Sequence, residues 1–246
     1  MGCILNKKNK LGSGFMKKIL VILTSFFIIF GMYHYFFSSR TEYPEPQVYI
    51  LKDSIVYDGD LTVEGIEKAK NLYSKNINNL ILNSLGGEIN LGMDLGEWVF
   101  DKKLNVVVKY AAFSSAANYV FPAGQKKFLY KDSFIGWHGG ASQTPQTLYD
   151  KIFTKFILKD YIIKAQKREL EFFLKINVNY KITTLGQQEV YKNYHDSYRG
   201  WTYSLKALNE LGVNDIVLMD ERWAPITEFK DAKFFIIENI DEKKNE

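Results

Sequence analysis

A mixed α/β fold on a largely parallel sheet is what this sequence predicts, and three observations predict it. Short apolar strands alternate with segments of helical spacing through residues 48–137. Glycine, serine and histidine clusters stand just after three of those strands, where open α/β sheets gather their binding loops. The chain has 246 residues, 46% hydrophobic and 15% aromatic, enough for one sizeable core rather than two full domains.

The elements follow in order. Residues 48–51 and 54–57 read as short strands, with a Gly59-Asp60 turn after them. Val63, Ile66, Ala69, Leu72 and Tyr73 recur at helical spacing in 61–76. Residues 80–82 form an apolar strand before the glycine pair Gly86-Gly87, and 91–100 return to a helical pattern. Residues 105–110 are a buried strand, 114–122 a small-residue helix, and 127–130 and 133–137 two further strands. A long amphipathic helix is expected over 144–176, with Leu148, Ile152, Phe156, Ala165 and Phe173 on its apolar side. That apolar face is wide enough to cover the sheet or to meet a second copy of the chain. Residues 201–212 read as a last helix stopped by Gly212, and 216–219 and 234–238 as closing strands.

The front of the chain is different in kind. Residues 19–37 are apolar and carry no Asp, Glu, Lys or Arg, and as a helix they match the roughly 30 Å hydrocarbon thickness of a bilayer. Lys7, Lys8, Lys10, Lys17 and Lys18 precede the run, while Arg40, Glu42 and Glu45 follow it. The positive-inside rule then predicts a single-pass anchor with its N-terminus cytoplasmic and the remainder periplasmic or extracellular. The expected organisation is a basic head (1–18), a membrane anchor (19–39), a linker (40–47), an α/β domain (48–225) and a C-terminal strand and charged tail (226–246).

Composition excludes several functions. The net charge of +4 is owed to the five head lysines, and the near-neutral remainder predicts no nucleic-acid partner. Cys3 is the sole cysteine, so no disulfide framework or CxxC centre is available. With three histidines, one of them His34 inside the apolar run, neither a metal nor another cofactor is expected.

The chemistry is concentrated in 83–140. Gly86-Gly87 offer backbone donors, Ser114-Ser115 open a helix, and His138 sits in W-H-G-G. A hydroxyl is a weak nucleophile until a hydrogen-bonded base activates it, and a strand-to-helix turn presents both the hydroxyl and free helix amides. Taken singly, each residue also has an ordinary structural use: a helix cap, a packing serine, a tight turn, a histidine bonded at a turn.

Their order supplies what their chemistry does not. G-D-L-T at 59–62, N-S-L-G-G at 83–87, S-S-A-A at 114–117, P-A-G at 122–124 and W-H-G-G at 137–140 together resemble the proteolytic subunit of Clp proteases. The resemblance extends to the signal peptide peptidase A-like members of the same superfamily and covers about residues 47–220. It implies a Clp/crotonase-like fold of repeated ββα units and an ATP-independent serine peptidase with a peptide or membrane-protein substrate. No cytosolic ATPase partner is expected on that side of the membrane. Register against Ala123-Gly124 selects Ser115 as nucleophile, with His138 as base and Asp196, counted back from Gly212, as its orienter. The oxyanion donors implied are the amides of Gly86, Gly87 and Ala116. Leu85 stands where the family has proline, and Ala111-Ala112-Phe113 where it has a glycine-containing turn. The same fold also carries acyl-CoA- and ester-processing enzymes and non-catalytic binding proteins.

Overall fold

The computed structural model describes residues 44–143 and 158–240. The apolar run at 19–37 and the first half of the expected long helix lie outside them. Among the described residues no helix is long and apolar enough to cross a membrane.

Strands β1 (Gln47–Leu51) and β2 (Ser54–Asp58) form an antiparallel hairpin, and every further pairing in the main sheet is parallel. The order runs β1-β2-β3-β4-β5-β8, with β3 at Asn79–Ser84, β4 at Asn105–Phe113, β5 at Lys127–Leu129 and β8 at Ile216–Leu218. Strand β3 alternates half-buried and buried positions, so Leu80, Leu82 and Ser84 face the core. Helices α1 (Val63–Leu72) and α2 (Ile89–Asp101) return the chain between parallel strands. Each starts on a side-chain cap: Thr62 accepts from the Gly65 amide at 3.0 Å and Glu88 from the Leu91 amide at 3.0 Å. Repeated β-α units around one parallel sheet are thus the architecture, as the sequence predicts.

Strand β4 is long enough to serve two partners. Its first half, Val106 to Val108, pairs with β5; its second half, Ala111 to Phe113, pairs with β6 (Phe134–Gly136). At the same level Ser84 of β3 pairs with Ala112. The carboxyl ends of β3, β4 and β6 therefore lie side by side, and the loops leaving them must meet.

Helix α4 (Lys159–Ile176) packs on α2 and ends at Asn177, a left-handed cap. Short 3-10 turns follow from Tyr180 to Tyr194. The expected helix over 201–212 is corrected in its first turn. Gly200–Tyr203 is strand β7, buried at all four positions, paired in parallel with β10 (Ala232–Ile237) and bridged to Trp137. Burial on both faces removes the period that separates strand from helix. Ser204 then caps α5 (Leu205–Glu210) through the Ala207 amide at 3.0 Å. Strand β9 (Glu228–Phe229) completes a three-stranded sheet in the order β7-β10-β9.

Candidate active site

Three loops from the adjacent ends of β3, β4 and β6 bring Gly86, Ser114 and His138 together. The His138 Nε2 lies 2.7 Å from the Ser114 Oγ, within reach for proton transfer. Ser114 has φ of 55°, a left-handed backbone that a serine adopts at a cost of order 1–3 kcal/mol and that marks functional turns. Its amide donates to the Gly136 carbonyl at 3.1 Å and its carbonyl accepts from the Asn118 amide at 2.8 Å. Strain held by bonds on both sides aims the hydroxyl out of the strand end, as at a nucleophile elbow.

The contact with His138 falls on Ser114 and not on the expected Ser115. Ser115 is 2% exposed, and its hydroxyl donates to the Gly87 carbonyl at 2.8 Å. It fastens the glycine loop to the serine turn and does not hydrogen-bond His138. The reason lies in the helix that follows. Ala116–Val120 is a π-helix, joined to the α-helical turn α3 (Phe121–Ala123). A π-turn accommodates one residue more than an α-turn, so register counted back from Ala123-Gly124 falls one residue late.

The amides shift with it. Gly86 has φ of 99°, and a Cβ there would stand 2.8 Å from the Ser114 Cβ and 2.9 Å from the Ser115 nitrogen. Gly86 therefore crowds the serine turn, but its own amide donates to the Ser84 Oγ at 3.1 Å, which leaves the Ser115 amide beside the hydroxyl. Gly87 stands in a parallel bridge to Leu61 in which the Leu61 amide donates to the Gly86 carbonyl at 2.8 Å, and Ala116 lies one residue deeper, buried at the start of the π-helix. Gly86→Ala keeps the amide but forces a Cβ against the serine turn at a positive φ, and is expected to slow fluorophosphonate labelling on the order of 10²-fold by displacing the hydroxyl. Labelling rates of the two proteins at equal concentration measure it.

The His138 ring packs against Phe113, centroids 5.0 Å apart, and Phe113 packs in turn on Phe134 and Phe234. Phe113 thus braces the imidazole. Behind the ring the chain is held by Asn118, whose Nδ2 donates to the Gly139 carbonyl at 2.7 Å, and by Gln187, whose Nε2 donates to the His138 carbonyl at 3.1 Å. Glu169 of α4 is 1% exposed and accepts from the amides of Ala141 at 3.0 Å and Ser142 at 3.2 Å and from the Tyr119 hydroxyl at 2.6 Å. Burial, with the Glu169 carboxyl beside it, pushes the Tyr119 phenol well above its ordinary range. Nothing in the periodicity of the long helix distinguishes Glu169 from its exposed charged neighbours.

Asp196 does not reach the ring. It lies in an exposed turn and lines an open depression with Tyr198, Arg199, Asp231 and Lys233. The chain that does approach His138 is the start of β7, where a Cβ on Gly200 would stand 3.2 Å from the His138 Cβ and 2.1 Å from the Trp137 carbonyl oxygen. The mutual bonds of Trp137 and Trp201, at 2.8 and 2.9 Å, force that approach. No carboxylate hydrogen-bonds His138 among the described residues; Arg199 is the charge nearest to matter. Burial first, and the Arg199 cation second, hold the His138 pKa below its usual value near 6.5.

No family model matches the chain, and no curated protein matches it. Among solved structures, a mutant of ClpP1 from Listeria monocytogenes is 16% identical, with 70% of this chain and 93% of that one covered and a TM-score of 0.41. A methylmalonyl CoA decarboxylase is 12% identical, with 45% of this chain and 54% of that one covered and a TM-score of 0.32. The chain thus spans about half the length of the decarboxylase. Likenesses at this level carry no argument about chemistry, which rests here on the residues.

Proposed function

We propose that this chain is a serine hydrolase acting on acyl bonds, peptides first among them, through a Ser114–His138 pair. The observation that supports it best is the 2.7 Å contact between His138 Nε2 and a Ser114 hydroxyl held on a left-handed turn. His138 takes the Ser114 proton on Nε2 as Oγ attacks the carbonyl carbon. The Ser115 amide, next to the hydroxyl, receives the charge that develops on the carbonyl oxygen. The imidazolium then gives its proton to the leaving group, and water, deprotonated by the same nitrogen, releases the acyl group. The peptide preference rests on the order of motifs shared with Clp-type peptidases. The apolar run at 19–37 with its lysines on one side supports an extracytoplasmic, membrane-anchored setting.

Fluorophosphonate labelling of the full chain in detergent tests the reading: wild type labels and His138→Gln does not. A folded wild-type protein that fails to label would refute it.

The pH dependence has a definite sign. His138 acts as base only when neutral, and its folded pKa is lowered. The rate is therefore expected to stay level below pH 6.5 and to fall only through that lower folded pKa. For stability, the contribution is fully present above the unfolded value near 6.5 and is lost as pH falls through the folded pKa. A pH profile of kcat/KM checks the first statement and thermal melts at matched pH the second.

A further inference from the structure

We propose that the cavity behind His138 binds a carboxylate-sized anion, which seats between Arg199 and the imidazole and serves as the third partner of the Ser114–His138 pair. The proposal rests on the hydrolase reading for its catalytic consequence, but not for the binding itself.

The cavity measures about 170 Å³. Its walls include His138, His195, Arg199, the backbone of Gly186 and Gly200, and the Trp201 ring. Among the described residues no acidic side chain lines it. His195 places Nε2 at 3.0 Å from the Gly186 carbonyl oxygen, which fixes the proton on that nitrogen. The Arg199 guanidinium has no ion pair or hydrogen bond among the described residues, and Tyr198 is the other titratable group on the wall. Asp196, Asp231 and Lys233 border the separate open depression on the other flank of Arg199.

The ring of His138 uses Nε2 for Ser114, and its second nitrogen has no hydrogen-bond partner among the described residues. A base of this kind must become a cation in the transition state, and a carboxylate on the second nitrogen stabilises that cation and fixes the tautomer. Here an arginine lines the same cavity as the ring, and its charge opposes protonation of the imidazole. An anion bridging Arg199 and Nδ1–H reverses the sign: it satisfies the guanidinium, accepts from the ring and favours the imidazolium. Planar bidentate capture of a carboxylate is what a guanidinium does best. Protein and anion together would then hold the full complement of serine, histidine and acid.

Acetate is the probe, titrated at constant ionic strength into the full chain in detergent. The His138 ring signal, one of three histidines, is read by NMR in Ser114→Ala protein, and kcat/KM on a neutral p-nitrophenyl ester in wild type. Acetate is expected to move the His138 titration to higher pH and to raise kcat/KM on the order of tenfold or more. Arg199→Met loses both responses and Arg199→Lys keeps part of them; Arg199 is exposed, so neither variant threatens the fold. An ester carrying its own carboxylate that reacts fast without acetate puts the anion on the substrate, and an equal acetate response of both esters makes it a free ligand. A His138 titration indifferent to acetate, or an Arg199→Met protein that responds like wild type, overturns the proposal. A shift dependent on Arg199 in a protein that hydrolyses nothing leaves the anion site standing and refutes the hydrolase reading instead.

Discussion

Ser114→Ala is expected to abolish fluorophosphonate labelling and Ser115→Ala to leave it in place. The two serines are neighbours in sequence but their hydroxyls make different bonds: Ser114 to the imidazole at 2.7 Å, Ser115 to the Gly87 carbonyl at 2.8 Å. Removing a nucleophile leaves only binding and oxyanion stabilisation, a loss on the order of 10⁵–10⁶ in kcat. Removing the Ser115 hydroxyl frees the Gly87 carbonyl and loosens the glycine loop, but leaves the Ser115 amide in place. The net worth of such a hydrogen bond is about 1 kcal/mol, roughly a fivefold effect. Mass spectrometry of the labelled peptide locates the adduct, and an adduct on Ser115 would sink the assignment.

What the sequence made legible follows physical lines. The strands β2, β3 and β4 are apolar runs bounded by glycine or charge, so the parallel core and the strand-end position of the site could be read before any coordinates. The choice between Ser114 and Ser115 could not. It depends on one extra residue in a π-turn, which leaves no mark on a pattern of small and apolar side chains. In the sequence Phe113 shows only as part of a departure from the family's glycine-containing turn; in space it is the brace of the imidazole. The misplacement of Asp196 has another origin. Counting back from Gly212 crosses α5, β7 and a turn of unequal rise per residue, so a count in residues does not fix a position in space. Gly200 was hidden for a related reason: it is a close backbone contact, and its partner Trp137 lies 63 positions earlier.

Glu169→Ala is expected to be the most destabilising single change at the site, though it touches neither the hydroxyl nor the ring. It strands the buried Ala141 amide, the half-buried Ser142 amide and the Tyr119 phenol, and a buried polar group costs about 1–3 kcal/mol without a partner. A total near 3 kcal/mol or more corresponds to a fall in Tm of roughly 10 °C for a domain of this size. The loop it releases, Gly139 to Ser142, begins at His138, so labelling should slow together with the fall in Tm. Tyr119→Phe separates the two effects, because it removes one donor and leaves both amides bonded to Glu169. That variant should lose only about 1 kcal/mol and keep its labelling rate. If Tyr119→Phe were as damaging as Glu169→Ala, the aromatic packing of Tyr119 on Phe172 and Phe173, not the carboxylate, would be what holds the histidine loop. Glu169→Gln gives the finer test: its carbonyl oxygen can serve one amide but its NH2 faces the other donor, so stability should fall between wild type and Glu169→Ala.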